Sequence, residues 1–281
     1  MILHSLLSAG TYLAAKRVLG ELSAFELGLV RFTLAAVVYG ALLLYLRVRV
    51  ARRDLWPMLW LGCMAVPVNQ ALFLLGLARS TPGHAALLYA LTPVFVLVIA
   101  HLRLHERASA PKLLGIVLAF AGVLVVLLAR GVMAVRGQVS PLLGDLLILA
   151  AVVAWAVYAV WGKLYAERYG AVAFTGVSLL LGSLLYLPLG LATSHARDFV
   201  GLSLGAWAGV AYLVAIASVV SYVLFYWAMA RTEASRVAVW SNLQPVFTAL
   251  LAWVLYGERL TAPFLAGGAM VLAGVVLAER G

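Results

Sequence analysis

The chain is a succession of apolar runs of about 20 residues, the length of helix that crosses the roughly 30 Å hydrocarbon core of a bilayer. Read against turn and cap signals, the runs predict ten spans, near 2–19, 24–46, 56–78, 82–102, 110–129, 142–165, 170–192, 205–229, 234–255 and 261–278. With 65% hydrophobic and 11% charged side chains in 281 residues, too little polar surface exists to cover a water-soluble core. The loops are too short to hold a soluble catalytic domain. Strict alternation of polar and apolar residues, which a membrane barrel requires, is missing. Helix punctuation supports the α reading: Ser23 and Glu26 have capping-box spacing, and Thr81-Pro82 and Ser140-Pro141 put an N-cap before a proline at the first helical position. Residues 1–19 read as a first span rather than a removed signal peptide, having no basic region and no small-residue cleavage site.

A net charge of +10 in a soluble protein would suggest nucleic acid, but here the basic residues fall in loops without stacking aromatics, so no nucleic-acid partner is expected. Their distribution speaks to orientation instead. With the N-terminus in the cytoplasm, 12 Lys/Arg fall on the inner side and 7 on the outer, with Arg31 left inside a span. The positive-inside rule then favours a multi-pass protein of an inner (plasma) membrane with both termini cytoplasmic. Cys63 is the single cysteine, so no intrachain disulfide forms.

An internal repeat organises the spans. Residues 79–123 align without a gap on 231–275, at an offset of 152, with roughly a third of the columns identical. Pro93-Val94-Phe95 falls on Pro245-Val246-Phe247, Glu106-Arg107 on Glu258-Arg259, and Ala121-Gly122-Val123 on Ala273-Gly274-Val275. Five spans per half is an odd number, so the second copy crosses in the opposite sense. The expected fold is all-α and integral to the membrane: two inverted five-helix repeats, 1–129 and 142–281, joined by a linker at 130–141, around a central cavity.

Lys16 ending the first span, the stretch from Glu26 to Arg31-Phe32, Gly144-Asp145-Leu146-Leu147 through Ala154-Trp155-Ala156-Val157-Tyr158, and the two Pro-Val-Phe to Glu-Arg blocks resemble the EamA family of the drug/metabolite transporter superfamily. The resemblance spans essentially the whole chain. It implies a basket in which helices 1–4 and 6–9 surround a cavity while helices 5 and 10 sit at the ends. It also implies export of small organic metabolites such as amino acids.

Polar side chains are costly in hydrocarbon, so their positions carry information. The two Asn and three Gln include Asn69, Gln70, Asn242 and Gln244 inside spans, with only Gln138 in a loop. Carboxamides both donate and accept, which suits a zwitterion, although interhelical bonding would place them equally well. Through the repeat, Tyr89/Thr92 and Ser241/Gln244 form matching i, i+3 faces beside Pro93 and Pro245, the candidate hinges. Thr11 and Tyr12, Phe73 and its repeat mate Phe225, Trp155 with Tyr158, and Trp240 one turn before Gln244 complete an aromatic-walled candidate binding site. Arg31 is the candidate anion contact, with snorkelling or a structural bond as the competing role.

No Asp or Glu falls near the middle of a span, which disfavours coupling through a midplane carboxylate, leaves His4 and His84 as the titratable candidates, and favours uniport. No cofactor or metal is expected. His101, His105 and Glu106 have metal-ligand spacing, but the repeat keeps only the glutamate, so an intramembrane enzyme is the minor alternative. A phosphorylated-metabolite or nucleotide-sugar carrier would need several inward basic groups, and Arg31 is the single candidate. One chain holds a complete pathway as a monomer; small residues such as Gly115, Gly122, Gly267 and Gly274 leave a dimer open.

Overall fold

The computed structural model describes residues 1–80, 82–129, 141–195, 199–256 and 262–281. Most of the linker, the Glu258-Arg259 pair, Thr81 and Ser140 lie outside them. Among the described residues the chain is helical with short connections and holds no strand. The helices are α1 (Ile2–Val18), α2 (Ala24–Tyr45), α3 (Arg52–Cys63), α4 (Asn69–Arg79), α5 (Pro82–Tyr89), α6 (Thr92–Leu104) and α7 (Ala110–Ala129) in the first half. The second half has α8 (Pro141–Tyr169), α9 (Ala171–Thr193), α10 (Leu204–Tyr212), α11 (Ser221–Met229), α12 (Ala234–Val239), α13 (Gln244–Tyr256) and α14 (Ala262–Glu279).

Helices occupy the apolar runs because hydrocarbon offers backbone groups no partner but each other. Six helical stretches are long and apolar enough to cross a membrane, over 24–45, 52–79, 87–104, 142–169, 171–193 and 204–229, and shorter apolar helices cover 110–125 and 265–279. Their outward faces carry exposed Val37, Val98, Val117, Leu146, Leu184 and Leu272 in mid-helix, a surface suited to lipid and not to water. The protein is therefore a multi-pass helical membrane protein. Helix α8 overruns its predicted span: its 29 residues reach about 43 Å, more than the roughly 30 Å thickness of a bilayer's hydrocarbon core.

The capping box at the start of α2 forms, with Ser23 N–H donating to Glu26 Oε2 at 2.6 Å and Glu26 N–H to Ser23 Oγ at 3.3 Å. The prolines act as helix starters: α6 begins at Thr92-Pro93 after a turn at Ala90–Leu91, and α13 begins at Gln244-Pro245 after a 3-10 turn, Trp240–Leu243. Two further irregularities have π-helical geometry: Met64–Val68 between α3 and α4, and Leu213–Val220 between α10 and α11. Pro67 lies in the first of these, where the wider turn accommodates its missing N–H.

The two halves interleave: α2 packs on α9, α4 on α8, α1 on α10 and α13, and α6 on α12. The small-residue faces of α7 and α14 face each other within the chain. A Cβ on Gly122 would sit 2.6 Å from the Gly267 carbonyl, and one on Gly115 2.6 Å from that of Gly274.

By sequence position alone Lys16 and Lys163, at matching ends of the first and sixth spans, read as interface anchors; in the structure they cap helix ends. Lys16 Nζ donates to the carbonyls of Leu77 (3.1 Å) and Ser80 (3.4 Å), while Lys163 Nζ donates to those of Met229 (2.6 Å) and Thr232 (2.5 Å). These carbonyls are repeat mates at the 152-residue offset, so each lysine satisfies the same orphan groups in its half. Glu106 caps the start of α12, accepting from Ala234 N–H (2.6 Å), Ser235 N–H (3.2 Å) and Ser235 Oγ (2.6 Å).

In the loop after α1, Glu21 accepts from the Ser203 hydroxyl (2.6 Å) and N–H (2.8 Å), with Arg17 at 3.9 Å. These bonds, the hydroxyl's foremost, hold its carboxyl below the ordinary 4.5. A depressed folded value stabilises the fold above the unfolded pKa and loses that contribution as pH falls through the folded one. Thermal midpoints of wild type and Glu21→Gln are thus expected to differ slightly at pH 6 and to converge progressively below pH 4.5. A difference independent of pH would refute the assignment.

Candidate functional site

Three of the four irregular stretches reach one cavity, whose lining includes Ala90, Ala217 and Ser241, and Asn69 of the lining follows directly on the fourth. Backbone that departs from α geometry at membrane depth must find partners for its freed carbonyls. Here neighbouring helices supply them. Tyr39 of α2 donates to the carbonyls of Ser218 (3.0 Å) and Val219 (3.2 Å), His4 Nδ1 to Ser221 (3.0 Å), and Ser5 Oγ to Trp240 (2.8 Å). Side chains of the first half thereby hold the second-half backbone that shapes the cavity wall.

Of the twelve side chains expected to bind substrate, the structure brings nine around this cavity: Thr11, Tyr12, Asn69, Phe73, Tyr89, Thr92, Trp155, Ser241 and Gln244. Tyr12 donates to Gln244 Oε1 at 3.3 Å, joining α1 to α13, and Asn69 Nδ2 donates to Tyr89 Oη at 3.0 Å and to the Ala151 carbonyl at 2.6 Å. Tyr12, Phe73 and Tyr89 meet edge to face, with centroids 5.5–6.3 Å apart.

Tyr158, Phe225 and Trp240 are set away from the cavity. Tyr158 is fully buried behind Trp155, its hydroxyl bonded to Ser178 Oγ (2.9 Å) and its carbonyl accepting from Tyr226 (2.7 Å). Phe225 lies under His4 and Trp155, at 5.4 and 5.3 Å between ring centroids. Trp240 turns to α14 and donates from Nε1 to Glu279 at 2.6 Å. The 3-10 turn explains this last difference. Three residues per turn align i with i+3, so Ser241 and Gln244 share a face while the expected i, i+4 pairing of Trp240 with Gln244 is lost.

Arg31, 2% exposed, lines the cavity wall. Its Nε donates to Ser218 Oγ at 2.9 Å and its Nη1 to Gln70 Oε1 at 3.0 Å, and Gln70 in turn donates to Asn69 Oδ1. The guanidinium does not snorkel to an interface. Its bonding partners are neutral, and no carboxylate is among the described residues that line the cavity.

His4, Ser8, Gln70, Ser221 and Tyr222 also line the cavity. The repeat held a signal for two of them, since the offset that carries Phe73 to Phe225 also carries Asn69 and Gln70 to Ser221 and Tyr222. Asn242 is buried, its carboxamide has no bonding partner, and it is not part of the lining. As for the metal alternative, His101 Nδ1 bonds the Glu106 carbonyl at 2.8 Å, and among the described residues no three His, Cys, Asp or Glu side chains converge to hold an ion.

The profile of the EamA-like transporter family matches this chain twice, over residues 1–128 and 142–279. Similar proteins include the uncharacterized transporter YyaM of Bacillus subtilis, 26% identical over 98% of this chain and 90% of its own length. An uncharacterized transporter of Archaeoglobus fulgidus is 30% identical over 99% and 95%. A probable terminal-alkyne amino-acid exporter of Streptantibioticus cattleyicolor is 30% identical over 90% and 83%. A solved crystal structure, 21% identical, superposes with a TM-score of 0.82 over 99% of this chain and 94% of the other, which speaks to fold alone. Two family matches spanning nearly every residue, together with relatives of this similarity, make the chain a membrane transporter belonging to the EamA-like transporter family.

Proposed function

We propose that the protein exports small neutral or zwitterionic organic metabolites, amino acids and related compounds, by alternating access around the cavity described above. In this reading ten helices form two inverted five-helix repeats, 1–129 and 142–281. A single chain suffices, and both termini lie in the cytoplasm of a cell with the protein in its plasma membrane. The observation that carries the proposal is the position of the cavity. It lies where helices from both halves break, at Ala90–Leu91 and at its repeat equivalent Trp240–Leu243, the arrangement that transporters with broken helices use for substrate.

Substrate contacts fall to Thr11, Tyr12, Asn69, Tyr89, Thr92, Ser241 and Gln244, with Trp155 and Phe73 as apolar wall. Pro93 and Pro245 start helices at the two breaks and act as hinges, because the turn before each lacks a full set of i→i−4 bonds to resist bending. Amino-acid substrates agree with the exporter named among the relatives. Among the described lining residues there is no carboxylate, and the imidazole of His4 is tied to the Ser221 carbonyl, which supports transport down the substrate gradient as uniport.

The test is flux in proteoliposomes. Wild type is expected to equilibrate amino acids with an imposed pH gradient making no difference, while Gln244→Ala and Trp155→Ala reduce the rate about tenfold, the effect of losing one wall contact of 1–2 kcal/mol. Accumulation above equilibrium driven by the pH gradient would overturn uniport. Unchanged flux in both variants would overturn the site.

A further inference from the structure

We propose that the cavity recognises its substrate by a carboxylate held on the Arg31 guanidinium, and that an amino group on the substrate is dispensable. This rests on the transport reading above and names the chemistry of its substrate.

A guanidinium carries its charge at every accessible pH and offers five N–H donors. In this protein Arg31 is buried, two of its donors are taken by the neutral oxygens of Ser218 and Gln70, and among the described residues no carboxylate lines the cavity it faces. An unneutralised cation so far from water is costly to keep, and the cost is relieved when an anion arrives. A carboxylate is the small anion whose two oxygens match the guanidinium fork.

Two further groups point to the same occupant. Thr92 and Ser221 are both 2% exposed, both line the cavity, and among the described residues the buried hydroxyl of neither has a hydrogen-bond partner. Buried polar atoms of this kind are rare unless something else satisfies them. Ser221 follows Ser218, the Arg31 partner, at i+3. Thr92 follows at i+3 from Tyr89, which the Asn69–Gln70 pair links to Arg31. A hydroxyl donates to a carboxylate as readily as it accepts from an ammonium, so both can complete its hydrogen bonds.

For an amino group the described lining offers neutral acceptors and aromatic rings, those of Tyr12, Phe73, Tyr89, Trp155 and Tyr222, which attract a cation weakly. The charge it offers is one positive group. A zwitterion leaves that charge in place, and a simple monocarboxylate neutralises it. Carboxylic acids without an amine should therefore bind about as well as the matching amino acids, whereas amino-acid amides, bringing a second cation and no anion, should not.

The experiment measures binding to the purified protein by titration calorimetry, and uptake into proteoliposomes, with two matched sets. These are phenylalanine, 3-phenylpropanoate and phenylalaninamide, and leucine, 4-methylpentanoate and leucinamide. The acids and amino acids of each set are expected to bind within about threefold of one another and the amides more than about tenfold more weakly, as a site built around a specific polar partner rejects the analogue lacking it. Thr92→Val and Ser221→Ala break no bond in the empty protein, so each should weaken the carboxylates several-fold while leaving the thermal midpoint unchanged. Arg31→Gln should abolish carboxylate binding, and Arg31→Lys should restore part of it. Amides binding as tightly as acids, or a folded Arg31→Gln protein with wild-type affinity, would overturn the carboxylate assignment while transport stands. If no member of either set binds or moves, the transport reading falls with it.

Discussion

Gly62→Ala is expected to lower the thermal midpoint of the purified protein by several degrees and to reduce the folded yield. Gly62 of α3 lies against the backbone of α9. A Cβ placed there would be 2.9 Å from the Gly182 nitrogen and closer still to the Ser178 carbonyl, and one on Gly182 would be 2.7 Å from the Gly62 carbonyl carbon. The obstacles are backbone atoms, which cannot rotate aside as the tip of a side chain can. Relief requires α3 and α9 to separate along a contact that also carries the first π-helical stretch, so the cost lies at the upper end of overpacking penalties, about 3 kcal/mol. Gly40→Ala is the control, because its Cβ would meet only Leu180 Cδ1 at 3.6 Å, an ordinary contact. Equal thermal midpoints for the two variants would show that the helices do not approach this closely.

Glu106→Ala should cost a comparable amount, on the order of 3 kcal/mol, since charge-assisted bonds contribute about 1.5–3 kcal/mol each and do not add fully. Its carboxylate, 8% exposed, satisfies two backbone N–H groups and a hydroxyl at the start of α12. Truncation leaves those donors buried and unpaired. Nearby, the fully buried Lys112 ammonium holds Glu233 at 2.9 Å and the Arg107 carbonyl at 3.1 Å, so the loop after α6 and the start of α12 are joined twice over. Glu106→Gln keeps one acceptor and should recover about half of the loss. Unfolding monitored by circular dichroism in detergent would check both, and an alanine variant as stable as wild type would remove Glu106 from its capping role.

The apolar runs and the capping box at Ser23 were legible because each depends on residues within a turn or two of one another, whereas Pro93 and Pro245, read as hinges inside spans, turn out to start helices. Nine cavity residues were legible for a different reason: a polar or aromatic group in a lipid-like run has few places to go. What escaped depends on contacts distant in the chain or on a change of helix type. Nothing local in Leu213–Val220 marks a π-helical stretch, and without the 3-10 turn at Trp240 the face of that helix is misjudged. Lys16 and Lys163 looked like ordinary charges at span ends because their carbonyl partners are 61 to 69 residues away. Arg31 left two roles open in the one-dimensional text, and only the folded chain reveals that its partners are neutral.

The π-helical stretches govern how the cavity wall responds to a change in residue count. A widened turn takes up about one residue more than an α turn, so removing one residue from Leu213–Val220 and letting that turn tighten to α geometry would leave Ser221 and Tyr222 on the wall. The same loss within α10, with the π stretch unchanged, would rotate everything beyond it by about 100° and swing both residues off the wall. The wide turn is thus a place where descendants of one ancestral transporter could lose a codon and keep their lining, while a codon lost one turn earlier would replace it.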